Sequence, residues 1–126
     1  MGLSDRPVAA SIGISDLDRA REFYEGKLGL SGGHEDVDGG YTYPCAGSSE
    51  LHIYASPENA GKSGSTQAFW TVENVETTVD ELAAKGVSFE QYGEPFNTND
   101  KGIAWFGDQA AAWFKDPDGN VLAIGT

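Results

Sequence analysis

Ser15-Asp16-Leu17-Asp18-Arg19-Ala20-Arg21-Glu22-Phe23-Tyr24, closed by Leu28-Gly29-Leu30, is the stretch on which the reading of this chain turns. Asp16 has the short carboxylate that caps a helix N-terminus by accepting from backbone N–H groups two or three residues on. Leu17, Ala20, Phe23, Tyr24, Lys27 and Leu28 then fall at helical spacing, and Gly29 supplies the residue that ends a helix in a left-handed turn. Just upstream, Ala10-Ser11-Ile12-Gly13-Ile14 alternates small or polar residues with β-branched ones, as a half-buried strand does. The unit is strand, then helix.

The same unit recurs downstream. Ala68-Phe69-Trp70-Thr71-Val72 reads as a strand, Asn74 as an N-cap, and Val75, Val79, Leu82 and Ala83 as the buried stripe of a helix closed by Gly86. A shift of fifty-eight positions lays Ile14 on Val72, Leu17 on Val75, Tyr24 on Leu82 and Lys27 on Lys85. After one deleted residue Gly29-Leu30 meets Gly86-Val87, which marks an internal repeat of about sixty residues.

Around these helices the remaining strands fall into place. In the first half they are an irregular strand with a turn in the glycine-punctuated Ser31 to Gly40, then Tyr41-Thr42-Tyr43 and Leu51-His52-Ile53-Tyr54. In the second they are Val87 to Glu90, Ile103 to Phe106, Ala111 to Lys115 and, after the turn Asp116-Pro117-Asp118-Gly119, Asn120 to Ile124. The expectation is a single α+β domain over 1–126. It has two tandem βαβββ modules, about 8–55 and about 67–125, joined by a Ser, Gly, Asn and Pro-rich linker at about 56–66, with a cupped, mostly antiparallel sheet and helices on its outer face.

Composition narrows the function classes. Fourteen aromatic residues and a 39% apolar share are enough to build a core. Eight basic against twenty acidic side chains leave a net charge of −12, which repels phosphate backbones and anionic lipid and makes nucleic acid or a membrane a poor partner. That acidity serves first as a solvated surface, and an acidic cleft would also draw cationic ligands. No apolar run has the length of a bilayer span, and Met1 to Pro7 lacks the features of a signal peptide, so the expected location is cytoplasmic. Cys45 is the single cysteine, which excludes an intrachain disulfide. No Ser-His-Asp or Cys-His spacing and no phosphate-binding glycine loop is present.

Two motifs, the Ser15 to Leu30 stretch and Trp113-Phe114-Lys115-Asp116-Pro117-Asp118-Gly119-Asn120, resemble signatures of the vicinal oxygen chelate superfamily of glyoxalases, bleomycin-resistance proteins and extradiol dioxygenases. The resemblance covers essentially the whole chain and implies a ligand held in a cupped sheet, often completed in a homodimer. Metal enzymes of that family carry His, Glu or Gln at four strand positions. Carried onto this sequence they are Ala9, His52, Gln67 and Ala123. Two are alanine, which has no lone pair, and a catalytic divalent centre needs about three protein ligands. No cofactor is therefore expected, and a divalent metal recruited through His52 and Glu50 is the disfavoured alternative.

Strand parity sorts the remaining candidates. Ile12, Ile14, Leu51, Ile53, Ala68, Trp70, Val72, Leu122 and Ile124 share the parity that packs under the helices. The opposite face carries Glu50, His52, Tyr54, Gln67 and Phe69, a mixed polar and aromatic surface of the kind that lines small-molecule pockets. Trp113, at a position that lines the pocket in similar family members, and Trp105 join them as ligand-binding candidates, while Tyr92 and Phe96 can equally be core. His52 reads as a vestigial metal position, a polar group in a ligand pocket, or filler, and His34 as an exposed loop residue. The expected function is sequestration of a planar or cationic organic ligand without metal, in the manner of the bleomycin-resistance type. The alternative is a divergent lyase, isomerase or dioxygenase of the same superfamily.

Overall fold

The computed structural model describes residues 2–126, so Met1 of the leader reading lies outside them. After a short 3-10 turn the chain forms β1 (Ala9–Ile14), α1 (Leu17–Arg21, continued by a π-helical turn over Glu22–Lys27), β2 (His34–Glu35), β3 (Tyr41–Pro44) and β4 (Glu50–Ala55). The second half follows with β5 (Thr66–Thr71), α2 (Val75–Ala84), β6 (Ile103–Phe106), β7 (Gln109–Lys115) and β8 (Val121–Gly125). The strands make two four-stranded sheets, ordered β1-β4-β3-β2 and β5-β8-β7-β6. In each, the first and last strands pair in parallel and the other pairs are antiparallel.

The sequence repeat is thus a repeat of fold, and its punctuation survives in detail. Asp16 (φ −139°, ψ 113°) accepts from the Arg19 N–H and Asn74 (φ −141°, ψ 112°) from the Thr77 N–H, so the two helices start from one geometry fifty-eight residues apart. Gly29 and Gly86 both take positive φ, 78° and 97°, and stop them, one residue out of step as the deletion requires.

Several expectations need correction. Val87 to Glu90 is not a strand: β6 accompanies β7 only as far as Ala112, and beyond it Phe89 makes a single bridge to Phe114 while the Glu90 N–H donates to the Trp113 carbonyl. The irregular strand with a turn expected in Ser31 to Gly40 is present, its strand limited to His34 and Glu35. Ala83 is exposed rather than part of the buried stripe of α2. The last turn of the first helix is widened, with the Leu28 N–H reaching back five residues to the Phe23 carbonyl. Phe23 and Tyr24, three and four residues after the buried Ala20, are both buried.

One core serves both halves. Ile12, Ile14, Leu51 and Ile53 of the first sheet and Phe114, Leu122 and Ile124 of the second belong to a single buried cluster with Phe23, Tyr24, Val75 and Val79 of the helices. Phe23 meets Phe114 at 6.4 Å between ring centroids.

A polar clamp then joins the two signature motifs. The buried Tyr24 hydroxyl donates to Asp116 Oδ2 at 2.8 Å, and Asn120 Nδ2 donates both to Asp116 Oδ2 and to the Gly13 carbonyl. Asn120 Oδ1 accepts from the Gly61 N–H in the connecting segment. Burial, reinforced by the Asp116 carboxylate, pushes the Tyr24 phenol far above its ordinary range. Among the described residues no helix is long and apolar enough to cross a membrane.

Candidate functional site

On the sheet face turned away from the helices, register alone assembles a polar row in the first half. Ser11 pairs with His52 across β1 and β4, His52 with Thr42 across β4 and β3, and Thr42 with His34 across β3 and β2. The turn between β2 and β3 adds two carboxylates. Asp36 Oδ2 stands 2.8 Å from His52 Nδ1 and accepts the Thr42 hydroxyl at 2.8 Å, while its Oδ1 stands 3.4 Å from His34 Nε2. Asp38 Oδ2 lies 3.9 Å from His52 Nε2, and its Oδ1 accepts the Gly40 N–H. The imidazole therefore has a carboxylate on each side.

Tyr54 stacks on His52 with centroids 5.7 Å apart and planes 13° from parallel. Glu50 lies exposed at the start of β4, two residues from His52 on the same face, and the carboxylates that converge on the ring are Asp36 and Asp38.

The corresponding face of the second half is aromatic. Phe69, Ala123 and Trp113 form a row across β5, β8 and β7, and the Phe69 ring lies against Gly125. Trp113 packs on Phe96 with centroids 4.9 Å apart and meets the edge of Tyr92 at 5.5 Å; Phe96 in turn meets Phe106. The segment carrying Tyr92 and Phe96 is closed on itself, for the Thr98 N–H donates to the Tyr92 carbonyl and the Tyr92 N–H to Thr98 Oγ1. Ala123, between Phe69 and Trp113, is only 1% exposed.

Trp105 is a correction. It pairs with Ala110, an odd number of residues from Trp113 along β7, so it projects from the opposite face, and Phe106 holds the place expected of it. Gln67 sits at a bulge where β5 slips against β8, and its amide turns back to donate to the Ser65 carbonyl. A pocket of about 210 Å³ lined by Leu28, Leu30, Trp70, Val72, Leu82 and Phe114 lies on the helix side, away from His52.

The model of the Glyoxalase/Bleomycin resistance protein/Dioxygenase superfamily matches residues 6–124. The chain belongs to that superfamily. Solved structures of similar fold include TnmS3, an antibiotic binding protein from Streptomyces sp. CB03234, at 21% identity and TM-score 0.67, with 94% of this chain and 93% of that one covered. A glyoxalase/bleomycin resistance protein from Catenulispora acidiphila matches at 20% identity and TM-score 0.67 over 94% and 96% of the two chains. An integron cassette protein from the mobile metagenome of a Halifax Harbour sewage outfall matches at 18% identity and TM-score 0.69 over 96% and 97%. At these identities the likeness establishes the fold. No curated protein sequence matches the chain.

Within this superfamily the four metal positions can be tested on the residues that occupy them here. Ala9 is an exposed methyl, Ala123 a buried methyl, and the Gln67 amide is engaged by backbone. His52 alone is a strong donor, so the residues do not fit a metal at those positions. Asp36, Asp38, Thr42 and Phe106 escaped the sequence reading. A D-x-D pair ahead of two glycines, one hairpin away from a histidine strand, was the signal available for the first two.

Proposed function

We propose that this chain is a small-molecule binding protein of the glyoxalase/bleomycin-resistance type, which takes up a planar or cationic organic ligand by stoichiometric binding and performs no chemistry on a metal at the four strand positions. The observation that carries this reading is Ala123: at a position where relatives use a donor, a methyl group lies buried between Phe69 and Trp113. Apolar and aromatic surface here can bury a flat ligand, at about 25 cal/mol per Å² removed from water. Asp36, Asp38 and Glu50 on the other sheet favour a positive group, and the net charge of −12 favours its approach. An antibiotic binding protein among the structures of similar fold agrees with the reading. The reading includes a cytoplasmic protein working as a homodimer, since β2 and β6 are unpaired sheet edges and Phe69 and Phe106 are half exposed.

The test is a calorimetric and thermal-shift screen of cationic aromatic drugs. Saturable one-to-one binding, weakened about tenfold by Trp113→Ala, supports the reading, a factor that corresponds to about 1.4 kcal/mol. No binder in such a panel, together with turnover of another substrate, overturns it. Sedimentation fixes the oligomeric state. One observation favours the enzymatic alternative: an imidazole oriented by a carboxylate at 2.8 Å is the arrangement of a general base, so a lyase or isomerase activity would have to vanish in His52→Ala.

A further inference from the structure

We infer that the seam between the two sheets holds a subsite for a primary ammonium group carried on a single aromatic ring, with Glu50 as the counter-ion. The inference rests on the ligand reading above and names where the positive end of that ligand goes. The subsite is a cleft of about 160 Å³ walled by Ala10, Leu51, Ala68 and Trp70 and completed by Cys45, Glu50 and Phe69. Residues of both modules build it, and neither module has it alone.

The space comes from the repeat. Ala10 and Ala68 are fifty-eight residues apart, at equivalent positions of β1 and β5, and those two strands lie against each other. Farther along the chain the side chains of the same parity are large: Ile12 and Ile14 belong to the core, and Trp70 and Val72 pack on it. Near the start of both strands a methyl stands instead, so the sheets part there. An apolar cavity of about 150 Å³ takes up benzene, so a cleft of this size suits one ring with a short arm.

Charge decides the class of ligand. Glu25, Glu76, Asp80, Glu90 and Asp118 each pair with an arginine or lysine, and Asp36 and Asp38 face His52. Among the described residues no cationic side chain pairs with Glu50, and the cleft has no basic residue of its own. The Ser49 hydroxyl on the same cleft is spent on the Ala46 carbonyl, and one carboxylate with one thiol is too small a donor set for a divalent ion. A monovalent ammonium is suited: it donates to the carboxylate in a charge-assisted bond, and the 55% exposed Phe69 ring offers it a negative face. The ring that carries the ammonium is buried against Leu51 and Trp70.

The test uses 2-phenylethylamine, its neutral counterpart 2-phenylethanol, and Cys45 as reporter, since it is the single cysteine. Calorimetry should give one equivalent of amine bound, about tenfold or more tighter than the alcohol. Saturating amine should also slow the reaction of the half-buried Cys45 with a thiol reagent. Glu50→Gln should bring the amine down to the affinity of the alcohol, and Glu58→Gln, an exposed acid of the connecting segment, should change nothing. Glu50 is exposed, so its variant should fold, and an unchanged melting temperature without ligand checks this. No amine binding, binding that Glu50→Gln leaves intact, or a Cys45 rate that saturating amine does not alter overturns the inference. If cationic drugs then still bind in a manner that depends on Trp113, only this placement falls; if they do not bind either, the ligand reading falls with it.

Discussion

The two sheets share strand order, a parallel outer pair and a helix launched from the same cap geometry, yet their faces away from the helices have diverged completely. Across the first runs Ser11, His52, Thr42 and His34; across the second runs Phe69, Ala123 and Trp113. On the helix side both sheets stay apolar and feed one core. The repeat is thus held to its backbone by packing on one side, while the other side was free to become acidic and imidazole-bearing in one half and aromatic in the other. A symmetric scaffold presents an asymmetric surface.

If the halves truly share a core, the largest effect will come from the residue that joins them. Phe114, fully buried against Phe23 and Phe89, should lose about 3–5 kcal/mol on replacement by alanine, read by urea denaturation. Two separate transitions in the parent protein would break the comparison. Next comes Tyr24→Phe, which leaves the buried Asp116 short of a donor and should lose about 1.5–3 kcal/mol. The Tyr24 phenol is raised in the folded state, so its contribution is whole below the unfolded tyrosine value of about 10 and fades as pH climbs above it. The variant should therefore lose part of the alkaline fall in melting temperature.

A smaller acid-side effect sharpens the contrast within the first half. Hydrogen bonds from Arg21 and then Tyr43 hold the Glu25 carboxyl below its usual range. Its contribution is present above the unfolded glutamate value of about 4.3 and is lost as pH falls through the folded value, so Glu25→Gln should flatten the melting curve against pH below that point. Least of all, Ser11→Ala on the open polar row should change stability by less than about 0.5 kcal/mol, while Phe69→Ala on the aromatic row should weaken ligand binding.

Most of the fold could be read from the chain because helix caps, glycine stops and two-residue alternation are local signals. Asp16, Asn74, Gly29 and Gly86 behave as their chemistry demands. What failed was non-local. Val87 to Glu90 has strand composition but only a short length of free edge beside β7, and Trp105 takes its side from a pairing register that its own neighbours do not reveal. The candidate site was half legible: His52 and Trp113 stood out by type and parity. Asp36 and Asp38 looked like solvated loop acids until the hairpin brought them against the imidazole.

The clamp of Tyr24, Asp116 and Asn120 has a consequence for any attempt to divide the molecule. Donor and acceptor come from segments ninety-two residues apart, one in each βαβββ unit, and both are buried in the joined chain. A chain nicked near Gly64 should therefore remain a non-covalent pair whose fragments co-elute and melt together.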